Sequence, residues 1–578
     1  MTTYTKPQAG GEWLSRPIAS LVSLDWERAA YIALVLVSLV TRLVGIGDRV
    51  MSHDESLHTQ YSYQYYNGEG YQHSPLMHGP SLFHITALSY WLFGASDASS
   101  RIPVALVGTL LVILPYFLRN WIGRVGALFA SLILLISPYI TYYSRYIRHD
   151  IYVITAAAIV FIAVLHYLRQ RKDKYIWWFA LGMALMFTTM ETSFIYVAIF
   201  GSFLLIRLGA RALAEGGLRP QVAAARRPLA LLALALLLLL GGHAGRQLVE
   251  GRLAETGATA TTTAEGFAAD PAETAQAGDG GAESSAEQGL RWLQVGAVIM
   301  LAAALFQTAR SLRPMLDRFP EFDLVVLFTT LTLPMASAFL VVLAGQDPLN
   351  YAFLSCAVPG QPEMKTLELF IARLGNQDCR NLLFDSGLAL TTATVVATLA
   401  ASVLVGIWWS RRRWLVAAAI FHGIFILLYT SFFSNPAGWA SGMVGSLGYW
   451  LAQQAVRRAN QPGFFYLIVL PLYEFLGVML TLLAAHLWAR KNRLAELGLY
   501  WLASGLVALL AFSLANWYAN WSTPIGEERS QLPGVLAALV ILIAAVVWWL
   551  LVRRDQVRAR YGLQSGLWRL FRVEALVG

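Results

Sequence analysis

Residues 51–80 read MSHDESLHTQYSYQYYNGEGYQHSPLMHGP and bring His53, Asp54, Glu55, His58, His73 and His78 together with five tyrosines. Carboxylates and imidazoles can carry protons near neutral pH, and the Asp54–Glu55 pair has no adjacent Lys or Arg to neutralise it. A second polar cluster, YYSRYIRHDIY at 142–152, supplies Arg145, Arg148, His149 and Asp150. On a helix, the i, i+3, i+4 spacing puts Arg145, Arg148 and His149 on one side, and guanidinium suits phosphate geometry. Two readings stay open for this cluster: an anion site, or structural pairing with Asp54, Glu55 and Asp150. Glu191, in TTMETSFIY, marks a tight turn between apolar runs, either as a third acidic point of the same face or as a solvated turn residue. Arg457 and Arg458 stand beside Gln453, Gln454 and Gln461 in a later polar segment, followed by Glu474 inside an apolar run, where a paired structural carboxylate is expected. The histidines between His53 and His84 match no strict metal motif such as H-E-x-x-H. Oxygen ligation of Mg or Mn, by Asp54 and Asp150, fits these residue types better than a histidine site.

The elements that hold these residues are set by composition. The chain has 578 residues, of which 57% are hydrophobic and 13% charged, with mean hydropathy +0.54. A soluble domain is nearer one quarter charged. Apolar runs long enough to cross a bilayer recur throughout, about 14 of them, which predicts an all-α polytopic transmembrane bundle. The alternating short segments of a transmembrane barrel do not dominate. The first apolar run, 29–48, follows a polar segment without a cleavage-site pattern and reads as a retained helix. The net charge of +9 arises from Lys and Arg between apolar runs and is no nucleic-acid signal. Basic connections such as RNWIGR (119–124), RQRKDK (169–174), SRRRW (410–414) and VRRDQVRAR (552–560) predict a multi-pass cell-membrane protein with both termini cytoplasmic. The connections 49–100, 143–150, 244–289, 345–385 and 433–462, with Glu191, then lie on the outer face.

Five regions follow: a cytoplasmic segment 1–28, a membrane module 29–243, a low-complexity loop 244–289 expected to be disordered, a second membrane module 290–552 and a basic tail 553–578. Within the first outer loop, 56–66 and 79–94 are expected to be interfacial helices with tyrosines at headgroup level. Cys356 and Cys379 share one outer loop, which predicts a disulfide. No phosphate-cradling glycine loop, dinucleotide fingerprint or fixed-period repeat is present.

The opening HDES, then SPLMHGPSLFHITALSYWLFG, then SSRIPVALVGTLLVILPYFLRNWIGRVGALFASLILLISPYITYYSRYIRHD together resemble the GT-C superfamily of membrane glycosyltransferases. That superfamily uses lipid-phosphate-linked sugars and includes protein O-mannosyltransferases, aminoarabinose transferases and oligosaccharyltransferases. The likeness runs over about residues 30–210. Within it, YWLAQQAVRRANQPGFFYLIVLPLYE at 449–474 is similar to a bacterial and archaeal group named for a flippase-associated protein of archaeal N-glycosylation. The resemblance implies catalytic acids at Asp54, its neighbour Glu55 and Asp150, and donor-phosphate arginines at Arg101, Arg145 and Arg148. Many relatives carry a lysine near TTMETS, where Met190 stands here, and the loop GEERSQLP at 526–533 departs from a Lys-containing, Trp-rich version.

The expected chemistry is sugar transfer from a polyprenyl-phosphate donor to a glycan, lipid or protein acceptor, inverting as the resemblance implies. Asp54 would be the base, and Arg145 and Arg148, with Arg457 and Arg458 behind them, would face the departing phosphate. Three other classes compete: a flippase or transporter of lipid-linked sugar, a non-catalytic partner of one, and a structural membrane protein, against which the clustered charges count. A transporter should carry polar residues near mid-membrane in several helices, whereas these clusters sit at one face.

Overall fold

The computed structural model describes residues 25–216, 285–343 and 346–453, except 351, 361–365 and 386, together with parts of 226–238 and 469–483. Every long element among them is a helix, and no strand occurs. The expected loop 244–289, the segment 1–24, the tail 553–578 and Arg457 and Arg458 lie outside the described residues, apart from the start of one helix at Ser285.

Helix α1, Trp26–Leu43, starts on an N-cap, where Asp25 Oδ1 accepts from Arg28 N at 2.8 Å. It ends ahead of Gly45, whose φ of +61° turns the chain away. Helix α2, His53–Tyr66, begins three residues before the expected 56–66 segment. The reason is a capping box: Ser52 accepts from Glu55 N, and Glu55 accepts from Ser52 N. Asp54 and Glu55 therefore occupy a first helical turn rather than a loop. Helix α3, Ser81–Phe93, falls within the expected 79–94 and stops at Gly94. Helix α4, Asp97–Ile113, is capped by Ser96.

Breaks follow local chemistry. After a 3₁₀ turn at Leu114–Leu118, α5 spans Arg119–Ile136 with a non-helical Gly123 inside it, at the basic connection expected between two spans. Helix α5 stops at Ile136, because Pro138 has no N–H to continue the ladder. Pro138 instead opens α6, Pro138–Tyr143, with Ser137 as its cap. Helices α7, Asp150–Gln170, α8, Asp173–Phe187, and α9, Ser193–Gly216, follow. Next come α10, Ser285–Leu316, α11, Pro320–Thr332, α12, Ser337–Leu343, α13, Ala352–Ser355, α14, Thr366–Gly375, and α15, Gln377–Asp385. The long α16, Leu388–Tyr429, is interrupted at Ser410, where the basic turn was expected. The last described helices are α17, Gly438–Ala440, and α18, Ser446–Gln453, joined by a π turn at Ser441–Gly445.

Among the described residues, four helical stretches are long and apolar enough to cross a membrane: Asp97–Ile136, Asp150–Gln170, Pro320–Val342 and Leu388–Tyr429. The described residues of Met1–Ala198, Thr330–Phe339 and Asp347–Gly578 form one compact unit, and those of Ile199–Thr329 and Leu340–Gln346 a second. In the first, α4 packs on α1, α3 and α7, α7 on α8, and α8 on α16. Tyr71, Leu82, Phe83, Val104, Ile147, Ile151 and Tyr152 make a continuous core beneath the loops that carry the polar clusters. In the second, Glu321 of α11 is fully buried and holds Arg207 and Arg211 of α9.

Cys356 and Cys379 form a disulfide with a Cα–Cα distance of 5.7 Å, packed with Phe353 and Val358. Arg373 Nε donates to Cys356 O at 2.8 Å on the same edge. A closed loop of this length is worth about 3 kcal/mol in the chain-entropy account. Peptide mapping without reduction is expected to recover 356 linked to 379, and reduction to lower the unfolding temperature. Two freely alkylated thiols in protein from an oxidising envelope would contradict the pairing.

Candidate active site

The polar clusters meet on one side of the first unit, organised by Glu55 and Arg101. Glu55 is completely buried, and its Oε1 accepts from Arg101 Nε at 2.9 Å and Ile147 N at 3.2 Å. Its Oε2 accepts from Arg101 Nη2 at 3.1 Å, Arg49 Nη2 at 2.8 Å and Ser52 N at 3.2 Å. Arg101, also buried, spends its other N–H groups on the carbonyls of Ile46, Arg49 and Val50. Burial pushes the Glu55 carboxyl up, but the hydrogen bonds from Arg101, Ser52 and Ile147 outweigh it and hold the group below its ordinary value. The expectations of a catalytic Glu55 and a phosphate-binding Arg101 therefore give way to a structural pair. Each group has lost its access to solvent, and each has its charge matched by the other.

Asp54 points the other way. Its side chain is 44% exposed and lies 3.4 Å from Arg148 Nη1, while Arg148 Nε lies 3.3 Å from Asp150 at the start of α7. Arg148 thus stands between the two acids. A metal held jointly by Asp54 and Asp150 would need that cation moved, and among the described residues no group of three or more His, Cys, Asp or Glu is arranged to hold one. Arg145 does not share a helical face with Arg148 and His149, because α6 ends at Tyr143 and residues 144–149 form a turn. Its Nη1 donates to the carbonyls of Thr41, Arg42 and Val44, and its Nη2 to Gly45 O. It caps the C-terminal end of α1 rather than facing the acids.

Glu191 is buried rather than solvated. Its Oε2 lies 2.6 Å from His78 Nδ1, and its Oε1 has no partner among the described residues. His78 is held at φ 63° by neighbouring contacts that dock its loop on the α8–α9 turn: Gly79 N donates to Thr189 O, and Ser81 N to Thr188 O, both at 2.9 Å. Gly79 is required there, since any Cβ would collide with the Thr188 carbonyl. His149, fully buried, lies against both His58 and His78, at ring distances of 5.1 and 5.4 Å. Glu474 accepts from Ser137 Oγ at 2.7 Å. Sequence reading missed Arg49, Ser52 and the His78–Glu191 pair as parts of this site. The capping pattern S-x-x-E at 52–55 was the one local signal available for Ser52.

Two outcomes are expected. Glu55→Gln or Arg101→Met leaves a buried charge without its partner and should cost about 3–5 kcal/mol. The double variant should lose less than the sum of the two, because the charges are removed together. Thermal unfolding in a neutral detergent reads both, and single variants within 1 kcal/mol of the parent would argue for a solvated pair instead. The second outcome concerns pH. Burial lowers His58 to about 4 and His73 to about 3, and pushes His149 well below its ordinary value, with His58 and His78 adding repulsion. A depressed folded-state value means that these rings contribute no penalty above the free value near 6.5. As pH falls below it, only the unfolded chain takes up the protons. Stability should therefore drop by about 1.4 kcal/mol per buried histidine at pH 5.5. Unfolding temperatures that stay flat from pH 7.5 to 5.5 would overturn this.

A family model described as dolichyl-phosphate-mannose-protein mannosyltransferase matches residues 77–240. No curated protein matches the chain. One similar solved structure is a crystal structure of ArnT from Cupriavidus metallidurans bound to undecaprenyl phosphate. It is 15% identical, with 77% of this chain and 84% of that chain covered and a TM-score of 0.27. The matched stretch 77–240 overlaps residues 30–210, over which the sequence resembles the GT-C superfamily.

Proposed function

We propose that this chain is a membrane glycosyltransferase that moves a sugar from a polyprenyl-phosphate-linked donor to an acceptor on its extracytoplasmic face. The observation that carries the reading is Arg148, a cation between two partly exposed carboxylates, Asp54 and Asp150, at the polar end of several apolar helices. The match of residues 77–240 to a lipid-phosphate-dependent transferase family supports it.

The chemistry divides among the residues as follows. The acceptor hydroxyl attacks C1 of the sugar while Asp54 takes its proton. The C1–O bond to the phosphate breaks, and the electron pair leaves with the phosphate oxygen. Arg148 faces that growing negative charge. Asp150 keeps the guanidinium in place when Asp54 turns to the acceptor. Attack opposite the leaving phosphate inverts C1, as the family resemblance implies. The neutral, buried His149 and the His78–Glu191 pair shape one wall of the site. The donor's hydrocarbon tail stays in the bilayer beside the apolar helices, so only its sugar phosphate enters the polar region.

Purified protein reconstituted in lipid with labelled polyprenyl-phosphate sugars is expected to pass label to an acceptor or to water. Asp54→Asn keeps size and hydrogen bonding and removes the base, so transfer should fall about 10²–10⁴-fold with the unfolding temperature unchanged. Transfer by Asp54→Asn at the parent rate would exclude the assignment. Absence of transfer by the parent protein from every donor would exclude the function.

A further inference from the structure

A second cluster of arginines lies apart from the Asp54–Arg148–Asp150 group. Where α1 ends and α5 gives way to α6, the first unit has a half-open cavity of about 460 Å³. Its walls include Arg49, Arg145, Thr141, Tyr142, Ile46 and Ile136. This is within the usual size of a small-molecule pocket. The two arginines give it a positive rim, and the isoleucines give it an apolar wall.

The charge around this cavity is not balanced. Arg145 pairs with no carboxylate among the described residues, and its charge is met only by the four carbonyls at the end of α1. Arg49 shares Glu55 with Arg101 and stays 44% exposed. Among the described residues, Arg42, fully buried one turn inside α1, reaches only Thr41 Oγ1 and Leu134 O, each at 3.4 Å, and its Nε has no partner there. Asp48 is exposed over the Gly45 turn. Of the residues that line the cavity, Arg49 and Arg145 are charged and none is a carboxylate. Both lining arginines are held in place: Arg145 by its carbonyls, and Arg49 by the rings of Tyr142 and Tyr146 at 5.6 and 5.2 Å.

Below the cavity the surface is apolar. Val37, Val40 and Val44 are exposed at 48%, 58% and 68%, three or four residues apart along α1 and its end. Phe129, Leu132 and Ile136 repeat that spacing along α5, which packs against α1. Both stripes lead away from the cavity toward the other end of their helices. An anionic head at two arginines with hydrocarbon chains along exposed valine, leucine and phenylalanine is the binding pattern of a phosphate-bearing lipid.

We propose that this cavity binds the phosphate of a membrane lipid, as a site separate from the one assigned to sugar transfer. The guanidinium of Arg49 and the free N–H of Arg145 take the phosphate oxygens, the hydroxyls of Thr141 and Tyr142 complete the set, and the acyl or prenyl chains follow the α1 and α5 stripes. The phosphate can come from an anionic phospholipid or from a polyprenyl phosphate. The site does not depend on the transferase reading.

The test is binding to the purified full chain in neutral detergent. The probes are dioctanoyl phosphatidic acid, a polyprenyl phosphate and inorganic phosphate, read by native mass spectrometry and thermal shift. Arg49→Gln removes one charge, and Ile136→Trp fills the cavity without touching a charge. Each should weaken phosphatidic acid binding at least 10-fold, about the factor that 1.4 kcal/mol represents, and Ile136→Trp should do so with the unliganded unfolding temperature unchanged. Inorganic phosphate should bind far more weakly than either lipid. Displacement of phosphatidic acid by polyprenyl phosphate at lower concentration would name the carrier as occupant, and the reverse order would name a bulk phospholipid. Unchanged lipid affinity in both variants, or inorganic phosphate binding as tightly as lipid, would overturn the site.

Discussion

The pair of Arg101 and Glu55, each at or near zero exposure, is the constraint on which the polar face depends. A buried ion pair loses hydration on both partners, and its mutual attraction offsets that loss only when every remaining donor and acceptor is used. Here they are used. The carboxylate collects N–H groups from Arg49, Arg101, Ser52 and Ile147, and the guanidinium collects the carbonyls of Ile46, Arg49 and Val50. One contact thereby ties together the end of α1, the start of α2, α4 and the turn before α7. Take away either charge and those four segments lose their common anchor.

The same pair explains why two adjacent acids do different work. Consecutive helical residues are separated by about 100° around the axis. With Glu55 drawn inward to Arg101, Asp54 is turned outward, to solvent and Arg148. The inward acid sets the position and the outward one remains accessible. Arg145 and Arg148 divide in the same way. One closes the exposed carbonyls of α1 and the other bridges Asp54 and Asp150. The polar face is therefore a set of arginines with distinct partners, two of which, Arg145 and Arg49, also line a cavity.

Helix breaks put these arginines where they are. Pro138 stops α5 and Ser137 caps a six-residue helix. That leaves Arg145 and Arg148 in a turn, free to point in opposite directions. Gly45 and Gly79 serve comparable ends. The first lets α1 turn with positive φ, and the second lets the His78 loop lie against the Thr188 backbone. The resulting His78–Glu191 contact joins elements 113 residues apart.

By itself, the sequence determined the membrane-spanning helical class, through apolar runs that must satisfy their own backbone. It also located the two helices of the first loop, the breaks at the basic turns near Gly123 and Ser410, and the pairing of Cys356 with Cys379, since two cysteines leave one choice. It placed Asp54, Arg148 and Asp150 in one neighbourhood, because helix ends alternate between two faces. Only the tertiary structure decided the partners. Glu55 meets Arg101 across 46 residues, and Arg145 meets the carbonyls of α1 across about a hundred. The spacing rule that put Arg145 and Arg148 on one helical face assumed a continuous helix, which Tyr143 ends. Periodicity reports which side of an element is apolar. Which charges approach within 3 Å depends on how separate elements pack, and adjacent positions in the chain carry no record of that distance.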